Sequence, residues 1–174
     1  MTAVETYPTL AEAARALGPD AAYLGGGTLV MRTVNEGNAP ARLVRVTDPA
    51  LAEIRVSGDT VTLGAGVTMA QVLAHRDLAF LHPAARLVGG PQLRNMATVA
   101  GNLFAAHPYG DVATALLALG ARVRPADQGS PRPVEDVLRD RDRFGLVVPA
   151  PPQVGGPHEH RVDDQRRRAR RRYR

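Results

Sequence analysis

Two glycine-bearing stretches constrain the fold of this chain more than any other feature. The first, Gly25-Gly26-Gly27-Thr28, follows an apolar run at residues 21–24 and precedes residues 29–34, which are spaced as in a helix. The second spans residues 89–103 and combines glycines with small and polar residues. Because glycine allows turns and close contacts that a Cβ forbids, both stretches predict sharp turns or sites where the main chain closely approaches another group.

The first stretch has the composition of an anion-binding turn. Consecutive main-chain N–H groups in such a turn converge on an anion, and the Thr28 hydroxyl adds a further donor. The stretch matches neither a Walker loop nor the G-x-G-x-x-G fingerprint, so those two phosphate-binding mechanisms are excluded. A tight turn without a ligand explains the same residues equally well.

The second stretch leads into a long segment, residues 92–110, for which no regular structure is predicted. Loops of this length are usually binding segments or disordered ones, and the interleaved leucine, methionine and valine side chains indicate an ordered one. Arg94 and Asn95 suit an anionic ligand, and they suit equally well a role in tying down the loop backbone.

Asp111 follows this segment at the start of a predicted Ala/Leu helix, and two roles are open to its carboxylate. As an N-cap it would accept hydrogen bonds from the first amides of the helix. As a ligand group it would accept hydrogen bonds from ribose or ribityl hydroxyls. The two roles are compatible.

The spacing of apolar residues predicts the other elements. Helices are expected at 8–17, 29–34, 68–74, 78–88, 111–119 and 133–138, and strands at 21–24, 43–46, 54–57, 60–63 and 121–123. Gly58-Asp59 predicts the turn of a hairpin between two of these strands, and Thr68 predicts a helix N-cap.

The positive charge of the chain is concentrated at one end. The formal net charge is +5, but residues 161–174 hold 8 of the 22 arginines and only two aspartates, so residues 1–160 carry −1. A nucleic-acid-binding surface is normally spread over a folded face, so nucleic acid is not an expected partner. Binding of nucleic acid or an acidic partner through residues 161–174 is the alternative from a different functional class. Residues 146–174, rich first in Pro and Gly and then in Arg, predict a disordered tail.

The composition excludes several kinds of site. With 44% hydrophobic residues the chain can bury a core, and without cysteine it holds no disulfide, thiolate-ligated metal or iron–sulfur cluster. The five histidines show no metal-ligand spacing, so no metal site is predicted. No apolar run is long enough for a membrane span and no secretory signal is recognised, so a cytoplasmic location is expected.

Taken together, the two stretches resemble motifs of the FAD-binding (medium) subunit of the molybdenum hydroxylase family, which includes carbon monoxide dehydrogenase and the flavin domain of xanthine dehydrogenase. The family's first motif, A-G-G-T-D/S/N after a strand, matches residues 25–29. Its second, Q-I-R-N-x-G-T-I/V-G-G-N-L followed by A-x-P-x-x-D, matches residues 92–103 and 106–111. Residues 64–68 match an intervening strand end, and the resemblance covers residues 10–138.

The resemblance implies an α+β fold, in which two small α/β subdomains at about 1–60 and 61–145 form an FAD-binding domain of the PCMH (vanillyl-alcohol-oxidase-like) type. It implies FAD as the cofactor. The residues of this chain implied at its site are Leu24, Gly25, Gly26, Gly27, Thr28 and Leu29 at the pyrophosphate, Thr98, Gly101 and Asn102 along the second phosphate and the flavin-proximal loop, and Asp111 at the sugar-chain hydroxyls. No catalytic residue and no metal ligand is predicted.

The function that the resemblance implies is electron transfer. The chain would be the FAD-binding subunit of a molybdopterin-dependent dehydrogenase complex, passing electrons from iron–sulfur clusters to an acceptor. Its partners would be a molybdopterin-binding large subunit and a 2Fe-2S small subunit. The alternative is a truncated, non-catalytic remnant with weak or no FAD binding, because the family continues into a C-terminal domain where this chain turns arginine-rich. A frameshifted reading of GC-rich coding sequence would explain that tail.

This sequence departs from the family motifs at three positions. Leu29 replaces a polar residue, which removes a side-chain donor but leaves a backbone contact. Ala97 and Ala100 stand where glycine is usual. An alanine at a position that requires a positive φ would cost about 1 kcal/mol or more.

Overall fold

The computed structural model describes residues 2–105, 110–125, 129–139 and 150–154, whose strands form two sheets. The first sheet is parallel, with the order β1–β3–β2, and consists of β1 (Ala3–Tyr7), β2 (Ala21–Tyr23) and β3 (Arg42–Val46). The helix α1 (Leu10–Ala16) connects β1 to β2, and α2 (Val30–Asn35) connects β2 to β3. The first glycine stretch therefore leaves this sheet at the carboxyl end of β2.

The second sheet is antiparallel, with the order β4–β5–β8–β6–β7. Its strands are β4 (Ile54–Ser57), β5 (Thr60–Leu63), β6 (Arg122–Arg124), β7 (Arg132–Pro133) and β8 (Ala150–Val154). The predicted hairpin is confirmed in β4 and β5, and Gly58 turns it with a φ of +56°, a conformation that favours glycine.

The remaining described helices are short. They are a 3₁₀ helix at Pro49–Ala52, α3 (Met69–Ala74), a 3₁₀ helix at Arg76–Leu81, α4 (His82–Leu87), α5 (Pro91–Arg94), α6 (Val99–Leu103), α7 (Asp111–Ala118) and α8 (Val134–Arg139). Thr68 is the N-cap of α3, as predicted, because its Oγ1 accepts from the Gln71 amide at 3.2 Å and Gln71 Oε1 accepts from the Thr68 amide at 2.8 Å. This capping box defines where α3 begins.

The main hydrophobic core lies where the second sheet meets α3, α4, α6, α7 and α8. Leu63 of β5, Met69 of α3 and Leu116 of α7 are all fully buried in it. Each such side chain contributes about 1.5–3 kcal/mol by leaving water. The core therefore anchors α6 and α7, the helices that carry Gly101, Asn102 and Asp111.

The segment at 92–110 is not the irregular loop that the sequence predicted, because α5 and α6 overlap it. Both helices begin with local signals, Pro91 at the first position of α5 and Thr98 as the N-cap of α6. The helix predicted at 78–88 is likewise divided into a 3₁₀ helix and α4, and Leu78 departs from helical φ/ψ.

Part of the disordered tail predicted at 146–174 is instead a strand. β8 pairs with both β5 and β6, each of which would otherwise present unpaired N–H and C=O groups at an edge. Pro151 and Pro152 cannot donate to a ladder, and they fall where the pairing with β6 shifts register. Residues 146–149 and 155–174, including the arginine-rich segment, lie outside the described residues.

The division of the chain into two subdomains near residue 60 stays a prediction. In the chain, the first sheet ends with β3 and the second begins with β4. Residues 54–57, which the predicted boundary assigns to the first subdomain, therefore pair with a strand of the second sheet. The mixture of a parallel sheet, an antiparallel sheet and short helices agrees with the expected α+β class.

Leu116→Ala is expected to lower the free energy of unfolding by about 2–5 kcal/mol, because the lost side chain leaves a cavity in the core. Leu117→Ala on the same helix is the matched control, since Leu117 is 43% exposed whereas Leu116 is 0% exposed. Chemical denaturation measures both values. Equal losses for the two variants would contradict the orientation of α7.

Candidate functional site

The first glycine stretch is the turn between β2 and α2. Strand pairing extends one residue beyond β2, where the Leu24 amide donates to the Val44 carbonyl oxygen at 2.7 Å. The Leu24 N–H is therefore engaged in the first sheet and is not available as a donor to a pyrophosphate. Gly27 has a φ of +74°, so the turn favours glycine there.

The following amides of the turn have no hydrogen-bond partner in the described part of the chain. They are the N–H groups of Gly25, Gly26, Gly27, Thr28 and Leu29. Gly25 is exposed and the other four residues are half-buried, so a ligand can reach these N–H groups. A continuous row of unpaired ones is the donor arrangement that binds an anion.

The second stretch uses its amides differently. Thr98 caps α6, and its Oγ1 accepts from the Gly101 amide at 3.0 Å. The amides of Val99 and Ala100 donate to carbonyl oxygens in the turn at 64–68, at 2.8 and 3.1 Å. The first N–H groups of α6 are therefore bonded within the protein, whereas the five amides of the first stretch have no partner among the described residues. Because Ala100 lies inside α6, alanine carries no positive-φ cost there.

The two stretches meet at Gly26. A Cβ placed on Gly26 would overlap the carbonyl oxygen of Met96 and lie 2.6 Å from its carbonyl carbon, so no side chain fits. A Cβ on Gly25 would lie 3.4 Å from Thr98 Oγ1. Main-chain packing thus explains the glycine at position 26, and this contact brings the unpaired amides beside the start of α6.

Asn102 caps the helix that follows the second stretch. It is 8% exposed, and its Oδ1 accepts from the amides of Val112 and Ala113 at 2.9 and 3.3 Å. The N-cap position of α7 is Gly110, with a φ of +111° and no side-chain bond, so the prediction that Asp111 caps this helix is wrong. Asp111 occupies the first turn, and its carboxylate has no hydrogen-bond or ion-pair partner among the described residues.

A cavity of about 310 Å³ opens between the two stretches, a size within the range of ligand pockets. Its walls are formed by Thr28, Leu29, Arg32, Leu87, Val88, Gly89, Leu93, Ala97, Gly101, Asn102, Ala105, Gly110 and Asp111. This wall brings together Thr28, Leu29, Gly101, Asn102 and Asp111 of the implied site. Gly25, Gly26 and Thr98 do not line it and lie at the contact between the stretches.

Two charged side chains of opposite sign lie in the described wall of the cavity. Arg32 of α2 pairs through its Nε with Glu36 Oε1 at 2.8 Å, and Asp111 lies on α7. The wall therefore offers a cation for an anionic group and an acceptor for hydroxyls. Behind the turn, the ring of Tyr23 lies against Gly25. Burial raises the pKa of Tyr23, so its hydroxyl stays neutral at physiological pH.

Arg94 has a structural role. Its Nη1 donates to the carbonyl oxygen of Arg86 at 3.3 Å and to that of Gly89. Of the two alternatives that the sequence left open for Arg94, these bonds support the one in which it ties down backbone.

Sequence reasoning missed Arg32 and the apolar wall formed by Leu87 and Val88. A signal for Arg32 was present, because it follows Thr28 by four residues, one turn of the predicted helix. Leu87 and Val88 come from the end of α4, and nothing local connects them with either glycine stretch.

The described residues contain neither a membrane-spanning helix nor a metal-binding cluster. None of their helices is long and apolar enough to cross a bilayer. They contain no cluster of three or more His, Asp or Glu side chains suited to a metal ion. Residues 106–109, which carry most of the A-x-P-x-x-D match, lie outside the described residues.

The sequence has known counterparts. The profile of the family described as "FAD binding domain in molybdopterin dehydrogenase" matches residues 2–141. The nicotinate dehydrogenase FAD-subunit of Eubacterium barkeri is 33% identical over 110 residues, covering 60% of this chain and 37% of that protein. The xanthine dehydrogenase FAD-binding subunit of Escherichia coli O157:H7 is 33% identical over 174 residues, covering 87% of this chain and 57% of that protein.

The fold has a solved counterpart as well. A chain of CO dehydrogenase from Oligotropha carboxidovorans matches with a TM-score of 0.70 and 24% identity, covering 78% of this chain and 51% of that chain. This likeness and the profile match confirm the predicted fold class. The chain spans between 37% and 57% of the length of these three proteins.

Gly26→Ala is expected to lower the free energy of unfolding by about 1–3 kcal/mol, because the new Cβ would overlap main chain and overpack the contact. Gly18→Ala is the control, since a Cβ there meets nothing closer than 3.4 Å. Differential scanning calorimetry compares the two variants. A Gly26→Ala protein as stable as Gly18→Ala would show that the stretches do not meet at this glycine.

Asn102→Ala is expected to cost about 1–3 kcal/mol of stability, because it leaves two amides of α7 without their acceptor. Asn102→Asp keeps an acceptor oxygen, and a carboxylate is favourable near a helix N-terminus, so this variant should retain more stability. Urea denaturation measures the free energy of unfolding of both variants. Equal losses of unfolding free energy in Asn102→Ala and Asn102→Asp would show that Asn102 does not stabilise the protein by capping α7.

Proposed function

The chain belongs to the family of FAD-binding domains in molybdopterin dehydrogenases, and from that premise we propose that it binds FAD beside the glycine turn and serves as the electron-transfer subunit of such a dehydrogenase. The observation that carries the proposal is the row of amides at 25–29 that have no partner among the described residues. It lies next to a cavity whose wall includes the carboxylate of Asp111, which likewise has no described partner. FAD has the two groups that these donors and this acceptor suit, a diphosphate and a chain of hydroxyls.

The donors of the turn fit a diphosphate. Five consecutive N–H groups from Gly25 to Leu29 are without partners in the described chain, and the Thr28 hydroxyl adds another donor. Leu29 takes part through its backbone, so its apolar side chain is no obstacle. Leu24 is left out of the assignment, because its amide is bonded to Val44.

The second stretch would form the wall that faces the turn. Gly101 and Asn102 line the cavity, and Thr98 holds the first turn of α6 in place. Asn102 also holds the start of α7 through two amides. In this way it positions Asp111, whose carboxylate would accept hydrogen bonds from ribose or ribityl hydroxyls.

When bound, FAD supplies the redox chemistry of its isoalloxazine ring, while the protein contributes binding, orientation and electrostatics. The proposed partners are a 2Fe-2S small subunit and a molybdopterin-binding large subunit. Iron–sulfur clusters are held mainly by cysteine thiolates, and these 174 residues contain none, so the clusters would lie outside them. The relatives named as FAD subunits of dehydrogenases support the same assignment.

The direct test is FAD binding by the purified chain. The protein is expected to be yellow, or to take up FAD in an equilibrium titration, because its donor set is formed without a partner chain. A colourless protein that takes up no FAD would contradict the proposal and favour a non-binding remnant of the domain.

Asp111→Ala is expected to weaken FAD binding by about 1–3 kcal/mol, the range for losing a charge-assisted hydrogen bond. Asp136→Ala is the matched control, because Asp136 is also an acidic residue in the first turn of a short helix, α8, and does not line the cavity. Isothermal titration calorimetry measures both affinities. Equal affinities for FAD would remove Asp111 from the site.

A further inference from the structure

Arg32 is the one cationic side chain in the described wall of the cavity. The amides of the turn carry only partial charges, whereas a diphosphate carries full negative charges that need compensation as it leaves water. A guanidinium presents paired N–H donors that match phosphate oxygens. Arg32 therefore has the charge and the donor geometry that the turn itself lacks.

The backbone places Arg32 on the same face as the turn's hydroxyl. The amide of Met31 donates to the Gly27 carbonyl oxygen at 3.0 Å, and Leu29 has helical φ and ψ of −94° and −46°, so helical geometry reaches back from α2 into the turn. Residues four apart on a helix share a face. Thr28 and Arg32 are four apart, and both line the cavity.

One partner of Arg32 is a carboxylate that a phosphate can displace. Its Nε donates to Glu36 Oε1 at 2.8 Å, one turn further along α2, and the two side chains are 57% and 54% exposed. Exposed ion pairs of this kind contribute little to stability. A phosphate accepts the same charge-assisted and often bidentate bonds from arginine as a carboxylate does, so it can take the place of this exposed carboxylate.

We infer that Arg32 is a ligand of the cofactor's diphosphate and that Glu36 competes with the diphosphate for its guanidinium. The inference rests on the proposed function, because it requires FAD in this cavity. It assigns opposite effects to two neighbouring charges. Removing the charge of Arg32 weakens FAD binding, and removing the charge of Glu36 strengthens it.

The experiment compares Arg32→Gln, Glu36→Gln and Arg139→Gln with the unchanged chain, in equilibrium dialysis against FAD and against riboflavin. Arg139→Gln is the matched control, because Arg139 pairs with Glu135 at the same spacing on α8, is similarly exposed and does not line the cavity. FAD affinity is expected to fall about 10- to 100-fold in Arg32→Gln. In Glu36→Gln it is expected to rise about 2- to 5-fold.

Riboflavin lacks phosphate, so Arg32→Gln should leave its binding unchanged. Added salt should narrow the difference in FAD affinity between the unchanged chain and Arg32→Gln, because it screens exposed charges. These results, together with opposite shifts in the Arg32 and Glu36 variants, support the inference.

Three outcomes would overturn it. If the unchanged chain binds FAD and Arg32→Gln binds it as Arg139→Gln does, the inference fails while the proposed function stands. If Arg32→Gln and Glu36→Gln both weaken FAD, the pair stabilises α2 and does not compete with phosphate. If the unchanged chain does not bind FAD at all, the proposed function fails, and the inference fails with it.

Discussion

The contact between Gly26 and the carbonyl group of Met96 is the constraint on which the site depends. A side chain at position 26 would collide with main chain, so the first stretch can approach the second only where it has no Cβ. The second stretch is held from another direction as well, because the amides of Val99 and Ala100 bond to the turn at 64–68. Residues 96–100 are thus fixed by both neighbours, and the cavity forms beside them.

The two stretches share a glycine-rich composition, but their main-chain amides differ in hydrogen bonding. The amides of the first stretch have no partners in the described chain. The amides at the start of α6 donate to the capping side chain of Thr98 and to carbonyl oxygens of the turn at 64–68. Asn102 accounts for the amides at the start of the next helix, α7. Its side-chain oxygen takes the place at the start of α7 that Asp111 was expected to fill, and the carboxylate of Asp111 is left for another partner.

Elements marked by neighbouring residues or by an apolar run were predictable, whereas two strands that lack such a signal were not. The hairpin turn at Gly58 and the capping box that begins at Thr68 depend on residues within a few positions. β1 has a largely exposed sequence without an apolar run, and it is a strand because β3 pairs with it. β8 contains two prolines, yet it fills the gap between β5 and β6. Strand formation depends on such cross-strand partners more than on intrinsic preference.

The sequence by itself determined the family, the fold class and the two glycine-bearing stretches beside the cavity, because each depends on which residues occur and in what order. Only the tertiary structure decided which polar groups of those residues remain unbonded. The amide of Leu24 and the side-chain oxygen of Asn102 are engaged by segments elsewhere in the chain, while the amides of the glycine turn have no partner among the described residues. The physical reason is that a hydrogen bond needs two groups in one place, and the fold alone brings the second group there.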